Sequence, residues 1–149
     1  MMKILYDANV VVDIFGKSED FFHSYISYDV ALTKGFVPYA TVSSVSDIVY
    51  VLAARKYLSK RQARSSIAGL MEMFDLLDAL PADCKRANES DMDDFEDALI
   101  AYAAERNGID FIITRNKKDF LKSPVPALTP KEFVAIYKPE CLEYEMVDS

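Results

Sequence analysis

Acidic residues stand at the ends of short hydrophobic runs that lie far apart in this chain. Asp7 closes Lys3-Ile4-Leu5-Tyr6, Asn116 and Asp119 follow Phe111-Ile112-Ile113-Thr114, and Asp94-Phe95-Glu96-Asp97-Ala98 opens a helical stretch between them. Carboxylates are hard oxygen ligands, and no His or Cys cluster accompanies them. Such a donor set favours Mg2+ or Mn2+ over Zn2+. Converging carboxylates would also require a cation, because two unit charges about 4 Å apart repel by about 4 kcal/mol at an effective dielectric of about 20. The chemistry indicated is water activation and in-line displacement at phosphorus.

Each acid also has a plainer structural reading. Asp94 and Asp97 fall in a first helical turn, where acids complement the helix dipole. Asp47 follows Ser44 at the spacing of a capping box. Asp7 precedes a turn, but it follows an apolar strand directly, and that placement is harder to assign to a turn alone.

The elements that must position these residues follow from periodicity. Met2 to Tyr6 and Phe111 to Thr114 read as buried parallel strands leading into polar loops, and the carboxyl ends of such strands form the ligand crevice of open α/β sheets. Val10 to Phe15 predicts a short helix ending near Gly16, and Ser18 is the expected cap of the next, which stops at Gly35. Phe36 to Ala40 is extended, with Pro38 suggesting an edge or a strand end. Ser43 or Ser44 caps a helix carrying Asp47, and a further helix spans Lys60 to about Met73. Leu76 to Leu80 is extended, with Asp78 in mid-strand, and Cys84 to Asn88 forms a short helix. Phe95, Ala98, Leu99, Tyr102 and Ala103 fit one apolar helix face, which Asn107-Gly108 ends. Val125 to Leu128 is a last short strand, and Thr129-Pro130 starts a final helix to Tyr137. Strands alternating with helices predict an α/β fold with a mainly parallel sheet.

At 149 residues one domain is expected, from residue 1 to 138, followed by an acidic tail over 139–149. No apolar run approaches the ~20 residues that span a bilayer, and the first residues do not read as a signal peptide. Cys84 and Cys141 form neither a CxxC nor a disulfide framework, so a reduced, cytoplasmic protein is expected. The net charge of −7 argues against a general nucleic-acid binder. The charge is segregated, however. No acid occurs from Ile48 to Met71, a stretch that holds Arg55, Lys56, Lys60, Arg61 and Arg64. That is the pattern of a phosphate-binding rim beside an acidic pocket, and equally of a solvated helical face. His23, among aromatic neighbours, reads as structural. Tyr50, Tyr57 and Tyr102 read as core or groove walls. Nucleophile elbows, Gly-rich phosphate loops and zinc-protease motifs are absent.

Four blocks in order, ILYDANVVVDIF, SSVSDIVYVL, DDFEDALIAYAAERNGIDFIITRNKKDF and PALTPKEFVAIY, resemble the PIN domain family of metal-dependent ribonucleases, which includes VapC-type toxins. The resemblance runs from Lys3 to about Tyr137. It implies a three-layer α/β/α sandwich and Mg2+- or Mn2+-dependent endonucleolytic cleavage of RNA. It implies catalytic positions at Asp7, Asp47, Asp97 and Asn116, with Asp94 and Asp119 as further metal ligands and Asn9 and Thr114 in support. Asp47 stands where many members carry Glu, and Asn116 stands where an acid often follows Thr-Arg. Arg55, Lys56, Lys60, Arg61, Arg64, Arg115 and Lys117 would hold the RNA backbone. A homodimer and an antitoxin partner are also implied. The alternative is a PIN-like module that binds RNA or protein without catalysis.

Overall fold

The computed structural model describes residues 1–140. In chain order the elements are β1 (Lys3–Tyr6), α1 (Ala8–Gly16), α2 (Phe21–Thr33), β2 (Val37–Thr41), α3 (Val42–Ala54), α4 (Lys60–Met73), β3 (Asp75–Leu77), α5 (Pro81–Glu89), α6 (Phe95–Arg106), β4 (Phe111–Ile113), a 3-10 turn (Lys117–Phe120), β5 (Ala127–Leu128) and α7 (Pro130–Tyr137). The strands form one parallel sheet in the order β3-β2-β1-β4-β5.

Strand alternation divides the apolar residues between two faces. Ile4, Tyr6 and Ile113 enter one core with residues of α1, α2, α3, α4 and α7, including Val10, Val30, Leu52, Leu70 and Phe133. Leu5 and Ile112 enter the other core with Ile100, Ala101 and Ala104 of α6. The result is the expected three-layer α/β/α sandwich. Gly16 is set by a close approach: a Cβ there would come within 2.9 Å of the Tyr57 ring. Among the described residues no helix is long and apolar enough to cross a membrane.

Several local expectations need correction. Ser18 does not cap α2. Its hydroxyl donates to Asp13 Oδ1 over 2.7 Å, and Asp20 holds the cap position without a side-chain capping bond. Pro38 lies on an interior strand, opposite Ile4, but β3 reaches β2 only from Tyr39 onward, so no neighbouring strand demands the missing N–H on that side. Thr41 is the N-cap residue of α3, and Ser44 is buried against the Thr41 hydroxyl, so Asp47 is in the helix interior and not in a capping box. Phe95 is 50% exposed, and the buried face of α6 is instead Ala98, Ile100, Ala101, Ala103 and Ala104. Tyr50 is exposed and is not a core residue. β3 stops at Leu77, so Asp78 follows the strand, where it pairs with Arg106 at 2.6 Å. Of the acidic tail, residues 141–149 and Cys141 with them lie outside the described residues.

Candidate metal centre

The chain builds outward from β1 in one direction, through β2 to β3, and then crosses to β4 and β5 on the other side. This reversal leaves a crevice above the carboxyl ends of β1 and β4. Asp7 and Thr114 occupy those two ends. Asp7 caps α1, accepting at Oδ1 from the Ala8 N–H at 2.8 Å. Its Oδ2 accepts from Thr114 Oγ1 at 2.8 Å and from Asn9 Nδ2 at 3.3 Å. Burial pushes the Asp7 carboxyl up, and the Thr114 and Ala8 hydrogen bonds hold it back. The Asn116 N–H donates to Thr114 Oγ1 at 3.1 Å, and the Arg115 N–H to Asn9 Oδ1 at 3.3 Å. The Thr-Arg-Asn loop is thereby fastened to the start of α1.

The first turn of α6 supplies the next acids. Asp94 caps the helix, its Oδ2 accepting from the Asp97 N–H at 3.0 Å. Asp97 is pushed up to about 7, first by burial and then by the charges of Asp7, Asp94, Asp119 and Glu96. Those groups come from β1, α6 and the 3-10 turn, so their fields meet at Asp97. Glu96 is also raised, first by a hydrogen bond with Asp47 and then by burial and the charges of Asp47, Asp94 and Asp7. Glu96 thus bridges α6 to α3 and joins the group of acids, although the sequence reading gave it no role. A helical step beside Asp97 gives no signal that the residue faces a second helix.

Two clefts flank these acids. One, of about 160 Å³, is lined by Asp93, Asp94, Asp97 and Asp119 with Met92, Leu121, Lys118 and Lys122. The other, of about 270 Å³, is lined by Asn9, Asp47, Arg55, Arg115 and Asn116. Asn116 therefore lines the cleft of Asp47, while its main-chain carbonyl accepts from the Asp119 N–H at 2.9 Å and Asp119 itself lines the cleft of Asp94 and Asp97. Among the described residues no three His, Cys, Asp or Glu side chains are gathered closely enough to hold a metal as they stand. The carboxylates are joined electrostatically across the crevice. The donor set is all oxygen and mutually repulsive, which suits a hard divalent cation.

The basic residues divide differently from expectation. Arg115 Nε pairs with the buried Asp13 at 2.8 Å, and its NH1 lies 3.4 Å from Asp20. Lys117 pairs with Glu132 of α7 at 2.9 Å. Both side chains are thus already partnered by acids. Arg55 lines the cleft of Asp47, and Lys60, Arg61 and Arg64 line a separate surface cleft of about 520 Å³ on α4. Lys56 sits in the turn between α3 and α4 with a positive φ of 58°. Among the described residues none of these five cations forms an ion pair.

Comparison with known proteins gives the same frame. The structure of VapBC2 from Rickettsia felis bound to a promoter DNA fragment contains a similar chain, at a TM-score of 0.67 and 18% identity, covering 86% of this chain and 98% of that one. DNA-bound VapBC from Salmonella typhimurium gives 0.65 and 15%, covering 87% and 99%. A toxin–antitoxin complex from Klebsiella pneumoniae gives 0.59 and 20%, covering 85% and 97%. At these identities the likeness shows the fold. No curated protein matches the sequence significantly. The sequence profile described as PIN domain matches residues 3–118, most of the chain, and the chain therefore belongs to the PIN domain family.

Proposed function

We propose that this chain is a Mg2+- or Mn2+-dependent endoribonuclease and the toxin of a toxin–antitoxin pair. The observation that carries the reading is the convergence of acids from separate elements on Asp97, which holds that carboxyl at about 7. Charge gathered at such cost in a strand-end crevice is the mark of a functional site more often than of a structural one. Asp7 and Asp97 are the main proposed metal ligands, with Asp47, Asp94 and Asp119 binding directly or through water and Asn116 offering a neutral carbonyl oxygen. When bound, the divalent cation supplies an activated water and neutralises charge on the attacked phosphate.

The chain's own residues have separable tasks. Thr114 and Asn9 fix the rotamer of the Asp7 carboxylate. Glu96 faces Asp47 across the gap between α6 and α3, so that a proton shared by the two carboxyls, or a cation, offsets their repulsion. Arg55, beside Asp47, is placed to meet a phosphate next to the acids, and Lys56, Lys60, Arg61 and Arg64 extend a basic path away from them. The fold shared with chains of VapBC complexes supports an antitoxin partner, and a homodimer and a cytoplasmic setting are part of the same proposal.

The test is cleavage of a mixed RNA pool by purified protein with Mn2+, with EDTA and Asp97→Asn protein alongside. Cutting that both abolish supports the reading. Intact tRNA, rRNA and oligomers after incubation with folded, metal-loaded protein would favour the second reading, a binding module without catalysis. Asn116 favours that alternative, because it brings no charge where an acid is expected.

A further inference from the structure

We propose that Lys118 and Lys122 form a phosphate clamp on the side of the acids away from Asp47. In this proposal they take the part that sequence position suggests for Arg115 and Lys117 and grip a single-stranded RNA as it leaves the crevice. The proposal rests on the nuclease reading above and names the residues that seat its substrate on this side.

The argument starts from which cations are free. Arg115 is held by Asp13 and Asp20, and Lys117 by Glu132. The charge of each is already offset by a carboxylate before a phosphate arrives, and drawing Arg115 away would leave the buried Asp13 charge uncompensated. Lys118 and Lys122 are both exposed and line the same cleft as Asp94, Asp97 and Asp119. Among the described residues neither has an ion-pair partner, although four aspartates line that cleft with them. Their ammonium groups stand off the carboxylates and are available to an incoming anion.

The electrostatics require such groups. A phosphodiester approaching this cleft meets aspartates on every lining element, and a cation bound among them offsets only part of that charge. Two flexible ammonium groups at the rim let the strand pass without displacing the acids. Two apolar side chains share the cleft with the lysines and aspartates: Leu121, which is 77% exposed, and Met92. An exposed leucine flanked by lysines gives a sugar or base edge a contact surface that does not discriminate between bases. Charge for the backbone combined with a sequence-tolerant apolar surface is how single strands are held. Arg55 lies in the cleft on the opposite side, beside Asp47. The two clefts then mark the two directions in which the strand runs from the acids.

A labelled single-stranded oligoribonucleotide provides the test, with affinity followed by fluorescence anisotropy across a salt titration. The Asp97→Asn protein serves as the non-cleaving background, and wild-type protein in Ca2+ runs beside it. Replacing both Lys118 and Lys122 by Ala should weaken binding about tenfold at moderate salt and lower the salt slope by about 1.4, at ~0.7 per phosphate contact in a single strand. Arginine at both positions should restore affinity, and Lys117→Ala should leave the slope unchanged. Thermal melting would confirm that the exposed substitutions keep the fold. A slope unchanged in the double alanine variant overturns the clamp while leaving the nuclease reading intact, and so does an equal effect of Lys117→Ala. Absence of RNA binding by both wild-type and Asp97→Asn protein overturns the nuclease reading and the clamp with it.

Discussion

Thr114 Oγ1 donates to Asp7 Oδ2 over 2.8 Å, joining residues 107 positions apart at the ends of adjacent strands. Asp7 is 8% exposed and Thr114 fully buried, so no water replaces this bond if it is lost. Thr114→Val keeps the shape and removes the donor. The expected cost is about 1 to 3 kcal/mol, the desolvation penalty of a buried group left short of a partner. The variant should also raise the Asp7 carboxyl further, since the Thr114 bond now holds it down. Urea unfolding and Mn2+-dependent cleavage should both weaken in Thr114→Val and recover in Thr114→Ser. Full activity in the valine variant would remove Thr114 from the support of the site.

Arg115 gives a second test, because its function is now read as structural. Its guanidinium meets Asp13, which is 1% exposed and otherwise held by the hydroxyls of Ser18 at 2.7 Å and Ser24 at 3.0 Å. Arg115→Ala leaves that buried carboxylate with two neutral donors. Loss of one partner of a buried pair costs several kcal/mol, and the one-third exposure of Arg115 reduces the expectation to about 2 kcal/mol. Asp13→Asn in the Arg115→Ala background should recover part of it, since no buried charge then remains. A denaturation midpoint unmoved by Arg115→Ala would show that solvent replaces the guanidinium freely.

The strands and their acids were readable because burial on both faces leaves continuous apolar runs, and a polar residue at the end of such a run stands out. The runs up to Tyr6 and from Phe111 to Thr114 point to Asp7 and Thr114 at one crevice, and β1 and β4 end there. Asp97 was marked by the resemblance to PIN domains, since its helical position alone fits a dipole-complementing acid equally well. What the sequence left open was partner choice across elements. Whether Arg115 meets phosphate or Asp13 depends on how α1 packs beside the β4 loop, and whether Lys117 meets RNA or Glu132 depends on where α7 lands. Neither distance leaves a trace in local composition. Glu96 was missed for the same reason, since its contact with Asp47 depends on the gap between α6 and α3. Pro38 was read from its chemistry alone, and the short β3 strand made an interior position tolerable.

Stability should depend on pH and on metal in a defined direction. In metal-free protein the Asp97 carboxyl sits at about 7 when folded, against about 3.9 in an unfolded chain. Between those values the folded protein holds a proton that the unfolded chain has released. Unfolding therefore releases protons, and stability falls as pH rises through this window, with the full loss reached above about pH 7. Asp7 and Glu96 are raised too and act in the same direction. The lowered carboxyls of Asp78 and Glu132 lose their contribution only at more acidic pH, outside the window. In EDTA the melting temperature should fall from about pH 5 to pH 8, and Asp97→Asn should flatten that fall. Added Mn2+ should stabilise the wild type most at the alkaline end, where the carboxylates are ionised and repel. A profile in EDTA that is flat, or that rises with pH, would remove the convergence of charge at Asp97 as the basis of the site.

Asn116 offers the remaining test of how the acids share the work. Its side chain lines the cleft of Asp47, Asn9 and Arg55, whereas Asp119 lines the cleft of Asp94 and Asp97. If the site draws on both clefts, Asn116→Asp adds a hard, charged oxygen beside Asp47. Mn2+ should then bind several-fold more tightly, and the metal-free protein should lose stability from the added repulsion. Arg55, in the same cleft, limits that loss by offering a counter-charge. If Asp119 already fills the fourth acidic role, Asn116→Asp will leave Mn2+ affinity unchanged and Asp119→Asn will lower it. Calorimetric titration of both variants distinguishes the two arrangements. It also shows whether the neutral residue at 116 limits the activity of the chain, because only the first arrangement predicts faster cleavage by Asn116→Asp at subsaturating metal.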